Sequence, residues 1–398
     1  MIETTESPEI LGPTLQQAGK DWDTLLEIAF DALRIRPPRY ISSIFGLPRT
    51  WLPPFSRYSE FKIVDLWRLG RTAKFLANIW IPSIPRTPPT FGPPLLNSLF
   101  WQPTVILQRP DHNGSYTTFP DEAWFFVNGI MTNDSVAQIN SAYLAYLFHR
   151  PLTMIQNSTD SLWIDLFECA VGKEWYRVVE PAVKAFPPIY DALKSEHKQR
   201  VVVICHSQGT IIMSVVLRLL GQLFRRPAVA REAEAAPRAL FAEAPPYAPP
   251  EFVYPDEDPI NLDDFERLTE AELAKLEVYC FANCANTMTT IATTEDGRPL
   301  PWIESFGNQN DIVARLGMLA PRPEQWGIRI DGPRYERRGA WGHMLNEHYL
   351  REIERCQKHG RKPGGDGTAA PDELVGGSVD GGDQAPRLFR YINGGIPD

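Results

Sequence analysis

The spacing of hydrophobic positions changes several times along the chain, and each change predicts a different element. Residues 201–204 are three valines followed by an isoleucine, which is typical of a strand buried on both faces in the middle of a parallel sheet. A short turn of small and polar residues comes next, and residues 210–224 then form an apolar run that predicts a helix. Further short apolar runs predict strands at 124–127, 152–156, 276–283, 302–306 and 326–330.

Helical spacing occurs between these strands. Residues 135–150 carry apolar side chains at every third or fourth position, which predicts an amphipathic helix. Residues 162–198 predict helical pieces that are broken at Pro181 and again at Pro187 and Pro188. Strands that alternate with helices predict the α/β class, with a mostly parallel central sheet flanked by helices.

Composition divides the chain into three parts. The chain has 37 prolines in 398 residues, well above the average share of about 5%, and many of them fall in residues 1–100, which predict an N-terminal helical and proline-rich extension. Residues 101–359 contain the alternating strands and helices, together with an Ala- and Pro-rich insertion at 226–265. Residues 360–398 are rich in glycine and predict a flexible tail.

Within the extension, a helix is predicted at residues 59–80. It combines an apolar stripe with tryptophan and several basic side chains. Such a helix either packs its stripe onto the core or lies on an anionic membrane surface. The extension is therefore predicted to serve as core, as a lid or as a peripheral membrane contact.

Charge and cysteine content narrow the classes of function. A formal net charge of -9 argues against a nucleic-acid partner, which normally requires a basic surface. Five cysteines form no disulfide framework in a chain of this length, so a reducing compartment is predicted. The N-terminus has no signal-peptide core, and no run of about 18 apolar residues occurs. These features predict a cytoplasmic protein.

The turn after the strand at 201–204 carries the strongest chemical signal. It reads C-H-S-Q-G, with Ser207 at its apex between a strand and a helix, and with Cys205 where the pattern G-x-S-x-G has its first glycine. A serine hydroxyl is a weak nucleophile unless an imidazole oriented by a carboxylate activates it. Ser207 is therefore the predicted nucleophile, and the alternative is a turn with a structural role alone.

A carboxylate and an imidazole would complete such a site, and several acidic residues are candidates for the carboxylate. Asp311 follows the predicted strand at 302–306 and a polar loop, which is where an orienting acid would emerge from the sheet, and it could also cap the next helix. Glu304 lies within that strand and is disfavoured, and Asp296 and Asp331 are weaker candidates still.

The histidine choice is narrow because only His343, His348 and His359 follow Asp311. His343 comes directly after a glycine at a loop-to-helix junction, so it is the predicted base, whereas His348 falls within the helix. A zinc site on this pair is disfavoured, since residues five apart lie about 140° apart around a helix. No metal is predicted.

Backbone N–H groups are expected to stabilise the oxyanion of a tetrahedral intermediate. One is that of Gln208, at the start of the helix after the nucleophile, where the helix dipole also helps. The other is that of Ile130, in the loop after the strand at 124–127, where Gly129 permits a tight turn. His206 is interpreted as a packing residue.

Four motifs in order resemble the α/β-hydrolase superfamily, and within it the lipase and esterase branch. They lie between about residues 104 and 359 and read F-V-N-G-I-M, C-H-S-Q-G, G-N-Q-N-D-I-V and W-G-H-M-L-N-E-H-Y-L. The resemblance implies an α/β-hydrolase fold and a triad of Ser207, Asp311 and His343 in the order usual for that fold. Asn128 stands where the best-known lipases have histidine, which marks a difference from them.

A serine hydrolase acting on carboxylic esters is the function that the resemblance implies, and it needs no cofactor. The aromatic and proline-rich segments favour a hydrophobic or lipid-like ester as substrate. Two alternatives stay open at the level of sequence: an acyltransferase that uses the same triad, and a non-catalytic binding or scaffold protein with the same fold.

Overall fold

The computed structural model describes residues 58–60, 105–109, 119–129, 134–156, 179–226, 260–324, 327–358, 374–376 and 386–397. Almost all of the predicted helix at 59–80, the rest of the N-terminal extension and most of the insertion at 226–265 lie outside these residues. Ile130 also lies outside them.

A twisted central sheet organises the described part of the chain. Its strands are β1 (Val105–Arg109), β2 (Glu122–Val127), β3 (Leu152–Gln156), β4 (Arg200–His206), β5 (Leu276–Phe281), β6 (Trp302–Asn308), β7 (Arg334–Arg337) and β8 (Leu374–Gly376). They lie in the order β1-β3-β2-β4-β5-β6-β7-β8. The six inner strands, β2 to β7, run parallel, and β1 and β8 pair antiparallel at the two edges. The prediction of an α/β fold with a mostly parallel sheet is confirmed.

Helices cover both faces of this sheet. They are α1 (Asp134–Phe148), α2 (Val179–Lys194), α3 (Gln208–Arg225), α4 (Glu270–Leu273), α5 (Ile312–Arg315) and α6 (Arg351–Lys358). A π-helical turn at Leu345–Leu350 leads directly into α6, and 3-10 turns occur at Leu262–Asp264 and Arg387–Gly394. Within the described ranges, no helix is long and apolar enough to cross a membrane.

The central strand β4 shows why its sequence is apolar without alternation. Val201, Val203 and Cys205 face α2 and α3 on one side, and Val202 and Ile204 face α1 and the turn before α6 on the other. All five side chains are fully buried. Burial of each valine or isoleucine contributes about 1.5–3 kcal/mol, so β4 stabilises two cores at once.

Helix α2 corrects one prediction. It begins at Val179, before Pro181, and continues through Pro187 and Pro188, so none of the predicted breaks interrupts it. An internal proline costs about 3 kcal/mol or more because a hydrogen bond is lost and the ring crowds the preceding turn. Phe186 and Ile189, which flank the prolines, are fully buried in the core with the sheet, and Phe265 packs edge-on against Phe186. Their burial offsets the cost of the prolines.

The structure of the C-terminal residues also differs from its prediction. Residues 386–397 fold against the face of the sheet that also contacts α1, and Leu388, Tyr391 and Ile392 are buried there. The prediction of a flexible tail over 360–398 is wrong for this segment. Apolar side chains at 388, 391 and 392 have a sheet face to cover, so glycine-rich composition did not decide their structure.

The remaining strand predictions differ in detail. Arg329–Ile330 pairs with Thr287–Met288 in a small separate sheet, so the segment predicted at 326–330 is not the last strand of the central sheet. That place belongs to β7 and β8, which the sequence did not predict. Strand β7 carries charged residues at three of its four positions, which hides it from a search for apolar runs.

Candidate active site

Ser207 lies at the sharp turn between β4 and α3. Its φ of 57° and ψ of -128° fall outside the regions that residues with a side chain prefer, so the backbone is strained. Hydrogen bonds hold it there: its N–H donates to the carbonyl of Phe281 at 2.9 Å, and its carbonyl accepts from the N–H and the hydroxyl of Thr210. The turn thus presents the serine hydroxyl at the carboxyl edge of the sheet.

Two glycines let other backbone segments approach this turn. A Cβ on Gly209 would collide with the carbonyl oxygens of Val127 and Asn128, at the end of β2. A Cβ on Gly129 would collide with the Cβ of Ser207 and would lie 2.5 Å from the carbonyl oxygen of His206. Strand β2 therefore delivers the chain at Gly129 directly against the serine.

His343 contacts the serine hydroxyl. Its Nε2 lies 2.9 Å from Oγ of Ser207, and its Nδ1 lies 2.9 Å from Oδ2 of Asp311. The carboxylate can only accept, so Nδ1 carries the proton and Nε2 offers its lone pair to the serine hydroxyl. This tautomer is the one that a general base needs. The structure thus brings together the three side chains singled out in the sequence.

Both carboxylate oxygens of Asp311 accept hydrogen bonds. Oδ1 accepts from the N–H of Val313, which caps α5, and Oδ2 accepts from both His343 and the hydroxyl of Tyr349, the latter at 2.6 Å. The two roles considered for Asp311, orienting a histidine and capping a helix, are therefore both present in its geometry. Burial and the neighbouring charge of Asp311 raise the pKa of Tyr349, which keeps its hydroxyl a donor.

His206 makes a more specific contact than packing. Its Nε2 donates to the carbonyl oxygen of His343 at 2.9 Å, and the two imidazole centroids lie 4.7 Å apart. Burial, followed by the nearby charge of His343, lowers the pKa of His206 well below its usual value. The lowered pKa keeps His206 neutral beside His343.

Asn308 holds the loop that carries His343. The side-chain amide of Asn308, at the end of β6, donates to the carbonyl of Gly342 at 2.8 Å. Gly342 has a φ of 98°, and a Cβ there would lie 2.5 Å from the ring of His348, so the position requires glycine. Asn308 lies in the polar run before Asp311 and Gly342 directly precedes His343, but no sequence pattern links these two residues.

Glu60 adds a contact from the N-terminal part of the chain. Its carboxylate accepts from the N–H groups of Asn346 at 2.6 Å and Glu347 at 3.1 Å, at the start of the helical segment that follows His343. Burial raises the pKa of Glu60 to about 7, against the lowering effect of the hydrogen bonds and of His343. No sequence pattern links residue 60 to residue 346.

The two expected oxyanion donors have different outcomes. Gln208 is the first residue of α3, directly after Ser207, and is buried. Its N–H belongs to the amino end of an 18-residue helix, where the dipole favours negative charge. Ile130 lies outside the described residues, and its neighbour Gly129 lies against the serine.

The rejected candidates lie in other environments. The Glu304 carboxylate accepts from the backbone N–H groups of Arg387 and Leu388 rather than facing His343. Asp331 accepts from Thr290, and Asp296 pairs with Arg298 at an exposed hairpin. His348 lies in the π-helical turn, where its Nδ1 accepts from the N–H of Met344. His359 falls outside the described ranges.

The three contacting side chains are buried: Ser207 and Asp311 have no exposed surface and His343 has 2%. Burial strengthens the hydrogen bonds between them because little water competes. In the part of the chain that the structure describes, no group of three or more His, Cys, Asp or Glu residues could hold a metal ion. No protein-family model matches the chain, and no curated protein matches it.

Proposed function

We propose that this chain is a serine hydrolase of carboxylic esters with an α/β-hydrolase fold. The observation that carries the proposal is the continuous hydrogen-bonded series from Ser207 through His343 to Asp311, with 2.9 Å between each pair of atoms. It starts from a serine in strained backbone at a strand-to-helix turn, as a nucleophile requires.

Acylation would follow from this arrangement. Oγ of Ser207 attacks the ester carbonyl while His343 takes the hydroxyl proton on Nε2. The positive charge that then develops on the imidazole is stabilised by Asp311, which stays ionised. When the tetrahedral intermediate collapses, His343 returns the proton to the departing alcohol and Ser207 retains the acyl group.

Deacylation repeats the same steps with water. His343 removes a proton from water, the resulting hydroxide adds to the acyl carbonyl, and the proton returns to Oγ as the carboxylic acid leaves. In both halves the carbonyl oxygen becomes negative, and the N–H of Gln208 at the start of α3 would bind it. The N–H of Ile130 is the proposed second donor.

A hydrophobic or lipid-like ester is the proposed substrate class. The support is compositional: aromatic and proline residues are concentrated in residues 81–101, before the first strand of the sheet, and a second proline-rich segment lies in the insertion. The predicted membrane contact of residues 59–80 would suit such a substrate.

Acyl transfer is the second candidate, and the burial of all three side chains favours considering it. A site that admits little water can pass the acyl group to another alcohol instead. An added alcohol that captures the acyl group faster than water would favour this activity over hydrolysis.

Labelling with a fluorescent fluorophosphonate tests the proposal directly. We expect the wild type to label and Ser207→Ala to lose labelling, with ester hydrolysis falling by at least about 10⁴-fold. Ser214→Ala is the matched control, since Ser214 lies on α3, the helix that follows Ser207, and its hydroxyl donates to the carbonyl of Ile211 instead. Hydrolysis of p-nitrophenyl esters of increasing chain length would then define the preferred acyl group.

The opposite result is equally clear. A folded wild type that neither labels nor hydrolyses any ester in the series would refute the hydrolase proposal. The fold would then serve binding, which was the non-catalytic alternative.

A further inference from the structure

The tripeptide Tyr58–Glu60 is held between two elements of the α/β domain. The side-chain amide of Asn346 donates to the carbonyl of Tyr58 at 2.8 Å and to that of Ile139, in α1, at 3.1 Å. The ring of Tyr58 stacks on that of Tyr143 with centroids 4.9 Å apart. A piece of the N-terminal extension is thus fixed next to the segment that begins two residues after His343.

Within this arrangement the carboxylate of Glu60 takes the position of a helix cap. Its two oxygens accept from the second and third N–H groups of the helical segment formed by Leu345–Leu350 and α6, 14 residues in all. The first N–H groups of a helix have no partner within it, and a carboxylate there also meets the favourable end of the helix dipole. Glu60 is 2% exposed, so these contacts replace hydration.

We propose that Glu60 is a positioning residue for the reaction, which rests on the proposed function: it fixes the segment that carries His343, and its negative charge stabilises the imidazolium that forms there. Residues 58–60 of the N-terminal extension would then form part of the site. The contribution is distinct from that of Asp311, because Glu60 reaches the backbone beyond His343 and not its ring.

The charge of Glu60 acts among several neighbours. With a pKa of about 7, Glu60 carries its charge above neutral pH and loses it below. His343 is the positive partner when protonated. The elements around it also carry other titratable or charged groups, which include Tyr58, Tyr143, Tyr146, Glu347, His348, Tyr349, Arg351, Glu352 and Glu354.

The test is a pH titration of the His343 imidazole in the full chain, monitored by ¹⁵N NMR with labelled histidine. The signals of His343 are assigned by their loss in His343→Gln. Glu60→Gln keeps the size of the side chain and removes its charge. Its His343 midpoint should fall by about half a pH unit, because Glu60 is only partly ionised near pH 7 and the imidazolium loses that part of a nearby negative charge at an effective dielectric constant of about 20. The acid limb of kcat/KM should move to lower pH with it.

Glu354→Gln is the matched control. It removes the same charge from α6, where Glu354 accepts from Tyr143 and does not reach the start of the helical segment. We expect its His343 midpoint to equal that of the wild type. Equal midpoints in Glu60→Gln and the wild type would overturn the proposal, whatever the activity.

The NMR readout does not depend on catalysis, so it separates this proposal from the hydrolase proposal. A protein that hydrolyses no ester would refute the latter, while the shift in midpoint would still decide the role of Glu60. If Glu60→Gln fails to fold, the wild type decides: ionisation of Glu60 should produce a second inflection in the His343 signals near pH 7. Signals with a single inflection would contradict the coupling.

Discussion

The hydroxyl of Tyr349 donates a hydrogen bond to Oδ2 of Asp311, the same oxygen that contacts His343. Oδ2 accepts from both Tyr349 and His343, so the carboxylate divides its negative charge between two donors. Tyr349 is itself fixed, since its oxygen accepts from the N–H of Asn308. A carboxylate held on both sides cannot rotate away from His343, which is what an orienting acid requires.

Removing this hydroxyl should change both rate and pH dependence. In Tyr349→Phe the carboxylate keeps only His343 at Oδ2, so it becomes a stronger acceptor and the imidazolium is favoured. We expect the acid limb of kcat/KM to move to higher pH, opposite to Glu60→Gln, and the rate to fall about tenfold as orientation loosens. Tyr335→Phe, which changes a buried tyrosine on β7, should leave the profile unchanged. A Tyr349→Phe profile identical to that of the wild type would contradict this role.

At the scale of elements, the site depends on how closely the end of β2 approaches the turn between β4 and α3. Gly129→Ala would place a methyl group against the Cβ of Ser207. Overpacking of this kind costs about 1–3 kcal/mol, and here it displaces the serine itself. We expect labelling by a fluorophosphonate to slow by at least about 100-fold while the protein stays folded.

Gly297→Ala serves as the control for that variant. Gly297 has a φ of 84° in an exposed hairpin, and a Cβ there would have no neighbour within 4 Å. The substitution should lower stability through backbone strain and leave labelling unchanged. Equal labelling rates in Gly129→Ala and the wild type would show that the approach of β2 has no bearing on Ser207.

The sequence predicted elements and site residues whose signals are local. Strand β4 and the serine turn lie within one short stretch, and Asp311 follows the strand that delivers it. Tyr349 and Glu60 were not predicted as partners because no spacing or residue pattern marks their contacts, which join residues 38 and 286 positions apart. Helix α2 was misjudged because the burial of its apolar face, which only the tertiary fold provides, outweighs the cost of its prolines.

At the scale of the whole molecule, the C-terminal segment covers acidic side chains on the sheet. Arg387 donates to Glu277 at 3.0 Å, Tyr391 donates to the same carboxylate at 2.7 Å, and the carboxylate of Glu304 accepts from two backbone N–H groups of this segment. Glu277 thus has a cationic partner, Arg387, which balances its negative charge. Among its described contacts Glu304 has hydrogen-bond donors but no cationic partner, so burial dominates and raises its pKa.

Glu304 should therefore make stability fall as pH rises. Burial raises its pKa from 4.5 to about 7 in the folded protein, so between these values the folded state binds more protons than the unfolded state. The contribution of Glu304 to the free energy of unfolding is fully present below about pH 4.5 and is lost as the pH rises through about 7. In Glu304→Gln this dependence disappears, and the free energy of unfolding of the variant relative to the wild type should rise by about 2 kcal/mol between pH 5 and pH 8. Urea denaturation at several pH values measures it.

Any constant cost of the amide shifts all points equally, and Glu295→Gln, which removes an exposed charge, should give a flat difference. A flat difference for Glu304→Gln as well would mean that Glu304 has the same proton affinity in the folded and unfolded chains.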